Sequence, residues 1–400
     1  MMAWTPGMRD RAIEGLSVLA RREKWRTSDY GDRIISRVQA ALTDENPVVR
    51  MHAAEAFTGL HADATSEARV AGLRELLITE PDVMVSTVLL NLLGREAHAS
   101  PGAVDATLEA LAGLRSGADQ SSEPQELTDE AEKRSAVDRV EDERNNRKVD
   151  IVTFLALTHE TPYALSTLNQ WASEPAKHNE LSHAIPFIRD YLAPGAEPRL
   201  QQRTFEFVTT ASTSALEYWT ATGGAMVDTS ELTPLELSEL ENVLRVLDAT
   251  ADQIYFASGA FESKRGNFSE DDVQQGRATA ADIARFAGLA TPTLLICAAS
   301  KAAPVIHHVV EALVYLAQVD EKRSLKALAE AVTAHSNYAY DSLASGVVVP
   351  YLTRLVAEQR DLVLFDAEGV DAFKTLLAAF AGAGNEDALE LAFTFADVFR

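Results

Sequence analysis

Histidine and glutamate recur three positions apart in this chain, a spacing that places both side chains on one face of a helix. The pairs are Glu180 with His183, His52 with Glu55, and His308 with Glu311. Helix bundles that bind two iron ions use two Glu-x-x-His segments and two further glutamates. Only Glu180 and His183 stand in that order, and an acidic chain with nine histidines produces such spacings by chance. We therefore expect surface or locally hydrogen-bonded side chains, with no metal site and no cofactor.

The only cysteine, Cys297, lies within an apolar run at 294–299. A lone cysteine forms no intrachain disulfide, which fits a reducing, cytoplasmic setting. A catalytic thiol acts as a thiolate beside a base, whereas an apolar helix raises the thiol pKa. The sequence also lacks the His-Glu-x-x-His, Gly-x-Ser-x-Gly and Gly-x-x-x-x-Gly-Lys-Ser/Thr motifs. These observations predict a buried, unreactive Cys297 and a protein that is not an enzyme.

The charge balance is strongly acidic, with 36 basic and 60 acidic residues and a formal net charge of −24. Such a chain repels nucleic-acid phosphates and anionic lipid headgroups at long range. The longest apolar region, 289–319, is interrupted by Lys301 and Glu311 and falls short of the ~18 uninterrupted apolar residues of a membrane span. We therefore predict a soluble protein that binds neither nucleic acid nor membranes, and a protein partner of basic character.

The composition favours helices, because 46% of the residues are hydrophobic while 7% are aromatic. A proline-headed helix signature at Asn46-Pro47 recurs about 35 positions later at Pro81-Asp82, each time followed by apolar residues at helical spacing. A helical hairpin of that length buries its apolar stripe only against a neighbour. The sequence thus predicts an all-α fold, an α-solenoid of stacked helical hairpins.

Further helix starts are marked by a hydroxyl side chain before a proline, because a proline at the first helical position loses no hydrogen bond. These starts are Ser100-Pro101, Thr161-Pro162 and Thr233-Pro234. Glu236, three residues past Thr233, completes a capping box. Pro350 lies inside the helical pattern of 340–356 and predicts a kink or break there.

The last third of the chain has the clearest helical periodicity. Residues 306–317 and 325–332 present matching apolar faces on either side of a turn and predict one helical hairpin. Residues 370–380 and 389–399 predict another, whose phenylalanines would close the end of the core.

Apolar content falls between Ser116 and Lys148, where the segment buries too little surface to offset its ordering entropy. We place the main boundary there and expect an exposed helix in its second half. The predicted divisions are N-terminal helical repeats at 1–115, a charged, partly disordered insertion at 116–148, middle helical repeats at 149–258, a loop at 259–272 and C-terminal helical repeats at 273–400.

The head of the first repeat resembles the HEAT-repeat family, whose units carry a proline near the start of the second helix, an acidic residue before it and an arginine a few residues in. The matching residues are Asp44, Pro47, Val49, Arg50, Ala53 and Ala54. Pro81 and Pro304 match more loosely, since Val85 and His307 take the place of the arginine. The resemblance implies a HEAT/armadillo-like fold in which Arg50 is structural, with Asp44 and Arg50 as a charged pair that links adjacent repeats.

Three later segments, 307–313, 338–344 and 395–400, resemble the C-terminal helical-repeat regions of large bacterial ATP-binding proteins of the STAND type. This resemblance implies a sensor or regulatory module. Since no phosphate-binding glycine loop is present, the ATPase module would lie outside these residues.

Aromatic side chains with polar tips are candidates for partner contacts, because they bring large area with few rotatable bonds. The candidate partner-binding residues are Trp171, Trp219, Tyr338 and Tyr340. Tyr338 and Tyr340 are two positions apart and diverge by about 160° on a helix, so at most one of them enters the core.

The sequence therefore predicts a non-catalytic helical-repeat scaffold that binds a protein partner. One alternative is the regulatory module of a STAND-type ATPase. The other is a HEAT-like enzyme such as a lyase or a DNA glycosylase. The charge balance disfavours the glycosylase, which needs a basic groove.

Overall fold

The structure, a computed structural model, describes residues 7–115, 131–227, 230, 232–264, 278–334 and 338–395. Every regular element in these ranges is a helix, which confirms the predicted all-α class. The chain divides into two units, Met1–Leu168 and Asn169–Arg400.

The first unit consists of helices with mostly short connections. A π-helical turn, Leu155–His159, directly follows its longest helix. The helices are α1 (Met8–Ala20), α2 (Glu23–Arg26), α3 (Gly31–Ala41), α4 (Pro47–Glu55), α5 (Phe57–Leu60), α6 (Ser66–Thr79), α7 (Val83–Glu96), α8 (Pro101–Arg115), α9 (Ala131–Phe154) and the first part of α10 (Pro162–Ser173).

Four helices of the first unit, α1, α4, α7 and α9, contact one another in that order. Beside them, α3 packs on α1 and α4, α6 packs on α7, and α8 packs on α6 and α7. Val49 and Ala53 of α4 and Leu89 and Leu93 of α7 are at most 1% exposed. The apolar core of this unit therefore lies where these helices meet.

Helices α4 and α7 begin in the same way. Asn46 caps α4 by accepting the N–H two residues on at 3.0 Å, and Asp82 caps α7 by accepting the N–H groups two and three residues on at 2.9 and 3.1 Å. The prediction that Pro81 heads a helix is wrong, because the Asp82 side chain sets the start at Val83. The equivalent positions, 46 and 82, are thus 36 residues apart.

Helix α10 begins at Pro162, as predicted from the preceding threonine, but its capping group is Asp105 of α8. The Asp105 carboxylate accepts the N–H groups of Tyr163 and Ala164 at 3.0 and 2.8 Å and the hydroxyl of Thr161 at 2.8 Å. Because the Thr161 hydroxyl acts as a donor, it does not cap the helix. The buried carboxylate of α8 accepts the free N–H groups at the amino end of α10 instead.

The second unit also consists of helices, with short 3-10 turns at Gly224–Met226 and Tyr338–Tyr340. Its helices are the rest of α10, α11 (Leu181–Phe187), α12 (Arg189–Leu192), α13 (Pro198–Ala221), α14 (Pro234–Ser258), α15 (Ala260–Lys264), α16 (Ala280–Ala298), α17 (Ala303–Leu316), α18 (Glu321–Ala334), α19 (Ser342–Glu358), α20 (Arg360–Leu364), α21 (Ala367–Gly382) and α22 (Glu386–Phe395).

Both hairpins predicted near the end of the chain are present. Helices α17 and α18 form the first and α21 and α22 the second. Phe373 and Phe380 of α21 are fully buried, and the rings of Phe373 and Phe395 lie 6.1 Å apart between centroids. Position 399, the other expected closing aromatic, lies outside the described residues.

Helix α14 is central to the second unit, since it contacts α11, α12, α13, α16 and α17. The capping box predicted at its start is confirmed. The N–H of Glu236 donates to Thr233 Oγ1 at 3.3 Å, and the Glu236 carboxylate accepts the N–H of Thr233 at 2.8 Å.

The predicted connections differ in part from the structure. Of the insertion at 116–148, residues 116–130 lie outside the described residues and the remainder belongs to α9. The loop placed at 259–272 is wrong for its first part, because Gly259 ends α14 with a φ of +89° and α15 follows at once. Its residues 265–272 lie outside the described residues.

Of the two outcomes predicted at Pro350, a kink or a break, the break is wrong, since α19 runs through this residue. Because proline has no N–H, the carbonyl of Gly346, four residues earlier, receives no helical hydrogen bond. Both Pro350 and Gly346 are exposed. Water can hydrate that carbonyl, so the missing hydrogen bond does not end the helix.

One helix in the described part of the chain, α16, is long and apolar enough to span a membrane by length and composition. It contacts α13, α14, α17 and α18, and it buries Phe286, Leu294 and Cys297 within the second unit. A core helix of a soluble protein passes the same test, so this property alone is weak evidence for a membrane span.

Candidate binding surfaces

Three of the four aromatic residues predicted to contact a partner are buried. Trp171, Trp219 and Tyr338 are 5%, 7% and 2% exposed, and the indole N–H of Trp219 donates to the carbonyl of Ser300 at 2.8 Å. These three residues are therefore core residues and not partner contacts, which corrects the prediction. Their side chains are buried inside the fold. Tyr340 is 68% exposed and remains a predicted contact.

The buried Tyr338 belongs to a short polar chain with two residues of α17. His307 Nε2 lies 3.3 Å from Glu311 Oε1, and its Nδ1 lies 3.4 Å from the Tyr338 hydroxyl. A tyrosine nucleophile or base needs a lowered pKa, but burial raises the pKa of Tyr338 well above its ordinary value. The arrangement therefore holds a buried carboxylate in place and does not activate the phenol.

His308 and Glu311, which their spacing places on one face of α17, lie beside different groups. His308 Nε2 lies 3.8 Å from Asp252 Oδ1 of α14, and its ring stacks on that of Tyr255 at 5.6 Å between centroids. Burial raises the pKa of Asp252. The packing of α17 on α14 thus brings the Asp252 carboxylate to His308.

Of the other two spacings, His52 and Glu55 are in local contact, with 3.8 Å between Nδ1 and Oε2. The Glu180 carboxylate lies beside His178, 3.7 Å from Oε2 to Nδ1, and His178 is not the histidine that the Glu-x-x-His spacing singled out. In the part of the chain that the structure describes, no group of three or more His, Cys, Asp and Glu side chains is arranged to hold a metal ion.

Cys297 is fully buried, which confirms the expected location of this thiol. Its Sγ lies 3.9 Å from Ser212 Oγ. Burial raises the thiol pKa to about 12, so almost none of it is thiolate at neutral pH.

A cleft of about 390 Å³ opens in the second unit among α15, α17 and α19. Its charged lining residues already have partners: Glu311 lies beside His307, and Arg354 donates to Glu321 at 2.7 Å. Tyr351, a further lining residue, is 3% exposed, and burial raises the pKa of its hydroxyl. The phenol in this cleft is therefore not activated as a base.

The first unit contains ion pairs between successive segments. Arg50 does not pair with the Asp44 carboxylate, as the sequence implied, but donates from Nε and Nη2 to Glu80 Oε2 and Oε1 at 2.9 and 2.7 Å. Arg69 likewise donates from Nε and Nη2 to Glu96 Oε1 and Oε2, both at 2.7 Å. Such bidentate pairs fix the orientation of the two side chains as well as the distance between them. These pairs are structural and leave their groups unavailable to a ligand.

An apolar pocket of about 270 Å³ lies beside the amino ends of α4 and α7. Its lining residues are Pro47, Val48, Met51, Asp82 and Met84. Met84 is 52% exposed although it is a large apolar residue. The sequence analysis did not predict this pocket. In the sequence its lining residues indicate only the first turns of two separate helices, and nothing local shows that the two turns lie side by side.

A second set of uncovered apolar side chains lies on the last elements of the second unit. The turn Tyr338–Tyr340 contacts α19 and α21, and α19 contacts α20 and α22. The large apolar residues on or next to these elements that are more than 60% exposed are Tyr340, Leu343, Phe365 and Phe393, at 68%, 61%, 80% and 79%.

Compared with models of known protein families and with curated protein sequences, the chain matches none. The resemblances to HEAT repeats and to STAND-type regions therefore stay predictions from the residues quoted above.

Proposed function

We propose that this chain is a non-catalytic helical-repeat scaffold that binds a protein partner. The observation that carries the proposal is the set of large apolar side chains, 61–80% exposed, on neighbouring elements at the end of the second unit. Soluble proteins seldom leave apolar patches uncovered unless the patch is an interaction site. Tyr340, predicted from sequence as a contact, belongs to this set.

Stacked helical repeats of HEAT or armadillo type are part of the proposal. In the first unit, α1, α4, α7 and α9 contact one another in chain order, and α4 and α7 carry equivalent caps. Arrays of this kind grow by adding helix pairs and present extended surfaces for binding.

The raised pKa values of two potential nucleophiles support the proposal that the chain is non-catalytic. Burial raises the pKa of Cys297 and Tyr338 and so disfavours the reactive anion of each. A free, buried thiol suits a cytoplasmic protein, and a net charge of −24 suits a basic partner.

Site-specific photo-crosslinking tests the proposal. The photoreactive amino acid p-benzoylphenylalanine replaces Tyr340 or Phe393 in the full chain, which is expressed in its native cells and irradiated. Leu235, 68% exposed in the same unit but outside the set, is the matched control position. We expect one protein to crosslink from both test positions and not from Leu235. Equal labelling from all three positions, or none above background, contradicts the proposed function.

A further inference from the structure

The apolar pocket of the first unit has the position and chemistry of a docking site for a peptide segment. It lies where two contacting helices, α4 and α7, begin. Pro47 and Val48 form the first positions of α4, Met51 follows one turn later, and Met84 is the second residue of α7. Methionine side chains are flexible and polarizable and therefore adapt to partners of different shape.

The size of the pocket favours one large side chain over a whole small molecule. Engineered cavities of about 150 Å³ hold benzene, whereas sites for drug-sized ligands usually span about 300–1,000 Å³. At about 270 Å³ this pocket holds one leucine, methionine or phenylalanine side chain with room to adjust.

The surroundings of the pocket are acidic. The two segments that contribute its lining residues, 44–51 and 80–84, carry four carboxylates and one guanidinium, and α1 adds the guanidinium of Arg9 and the carboxylate of Asp10. Three negative charges are thus in excess. The carboxylates of the two segments are Asp44, Glu45, Glu80 and Asp82.

Two of these carboxylates are available to a cation. Glu45 is 87% exposed in its side chain, so a further cation can reach it beside Arg9, which lies 3.6 Å away. Asp82 uses Oδ1 for both capping bonds, and its Oδ2 accepts no hydrogen bond from the residues that the structure describes. Helix amino ends attract anions, but here the protein's own carboxylates already occupy them.

We propose that this pocket binds an extended segment of a partner protein that carries a large apolar residue next to lysine or arginine. The apolar residue enters between Met51 and Met84, and the cation lies against Asp82. The inference rests on the proposed function, since it names the partner's chemistry at a second surface of the same scaffold.

A displayed library of random nine-residue peptides, selected on the purified full chain, tests the inference. Met84→Glu blocks the pocket at an exposed position, and Asp82→Asn removes the charge while keeping a residue that caps helices equally well. Met226→Glu is the matched control, because Met226 is 91% exposed and lies in the second unit. A thermal melt of each variant confirms that the fold is retained.

We expect the enriched peptides to pair a large apolar residue with an adjacent lysine or arginine. A fluorescent copy of the best peptide should lose at least about tenfold in affinity with Met84→Glu and several-fold with Asp82→Asn, as for an anchor residue, and none with Met226→Glu. No enrichment, acidic consensus peptides, or affinity unchanged by Met84→Glu overturns the inference. A dimer of the chain that Met84→Glu dissociates also overturns it, by assigning the pocket to a second copy.

These results separate the inference from the proposed function. A partner that crosslinks from Tyr340 and Phe393 while the pocket binds no peptide leaves the scaffold function standing and removes only the inference. Failure of both experiments removes both.

Discussion

Arg50 and Glu80, 30 residues apart in the chain, form a two-bonded ion pair that ties α4 to the segment before α7. The third nitrogen of Arg50, Nη1, donates to the carbonyl of Asp44 at 2.7 Å. Both partners of the pair are largely buried, with side chains 13% and 6% exposed. The hydrogen bonds that Arg50 donates to Glu80 raise the pKa of Arg50, so its guanidinium is charged at neutral pH.

Arg50→Ala should lower the free energy of unfolding of the first unit by about 3 kcal/mol, because it leaves the buried Glu80 carboxylate without its cation. Chemical unfolding followed by circular dichroism measures the change. Arg9→Ala is the control, since Arg9 is 59% exposed and an exposed ion pair contributes about 1 kcal/mol or less. Equal effects of the two substitutions would contradict the structural role of Arg50.

Glu96→Gln should destabilise the protein at neutral pH by about 2 kcal/mol, because Glu96 accepts hydrogen bonds from Arg69 and from Ser66. These bonds hold the pKa of Glu96 below its ordinary value of 4.5. The stabilisation is therefore fully present above that value and is lost as the pH falls through the lowered folded-state pKa.

The measurement is the melting temperature of wild type and Glu96→Gln from pH 7 to pH 3. The difference should shrink in the acid range, whereas the exposed Glu75→Gln should show little difference at any pH. A difference that stays constant between pH 7 and pH 3 would show that the charge of Glu96 is not the cause.

Asp105→Ala should cost about 2 kcal/mol, because it removes the acceptor for two N–H groups at the start of α10. Thr161→Ala should cost less, since those N–H groups keep their carboxylate. Thermal melts of both variants, with the exposed Glu109→Ala of the same helix as control, measure the order. A larger loss of stability with Thr161→Ala than with Asp105→Ala would contradict this prediction and indicate that Thr161 caps α10.

Cys297 should not react with a disulfide reagent such as dithiobis(nitrobenzoic acid) at pH 8 while the protein is folded. The thiol is fully buried and its pKa is raised to about 12. In guanidinium chloride, one thiol per chain should react. Absorbance of the released thiolate gives both rates, and rapid reaction of the native protein would contradict the assignment of Cys297 to the core.

Two glycines of the first unit should respond in opposite ways to alanine. A Cβ at Gly31 would lie 1.9 Å from the Arg26 carbonyl oxygen, so Gly31→Ala forces the backbone apart. Gly15, exposed in the middle of α1, has open space around such a Cβ. Gly15→Ala should therefore stabilise the helix by about 0.5–1 kcal/mol. Melting temperatures that move the same way for both would contradict this packing.

Local sequence signals were sufficient to predict several of the helices. Asn46 before a proline, the capping box of Thr233 with Glu236, and the apolar spacing of α17 and α18 each lie within one or two helical turns. Hydrogen bonds between near neighbours and one-sided burial are enough to specify such elements, so the all-α class could be predicted.

The packing of the helices sets which side chains contact each other and which surfaces remain exposed. It paired Arg50 with Glu80 over the nearer Asp44 and buried Tyr338 while leaving Tyr340 exposed. It also placed Met84 beside α4 to form an apolar pocket. These outcomes depend on how helices far apart in sequence pack against each other. The same local pattern is compatible with several packings, and the burial of the whole core selects among them.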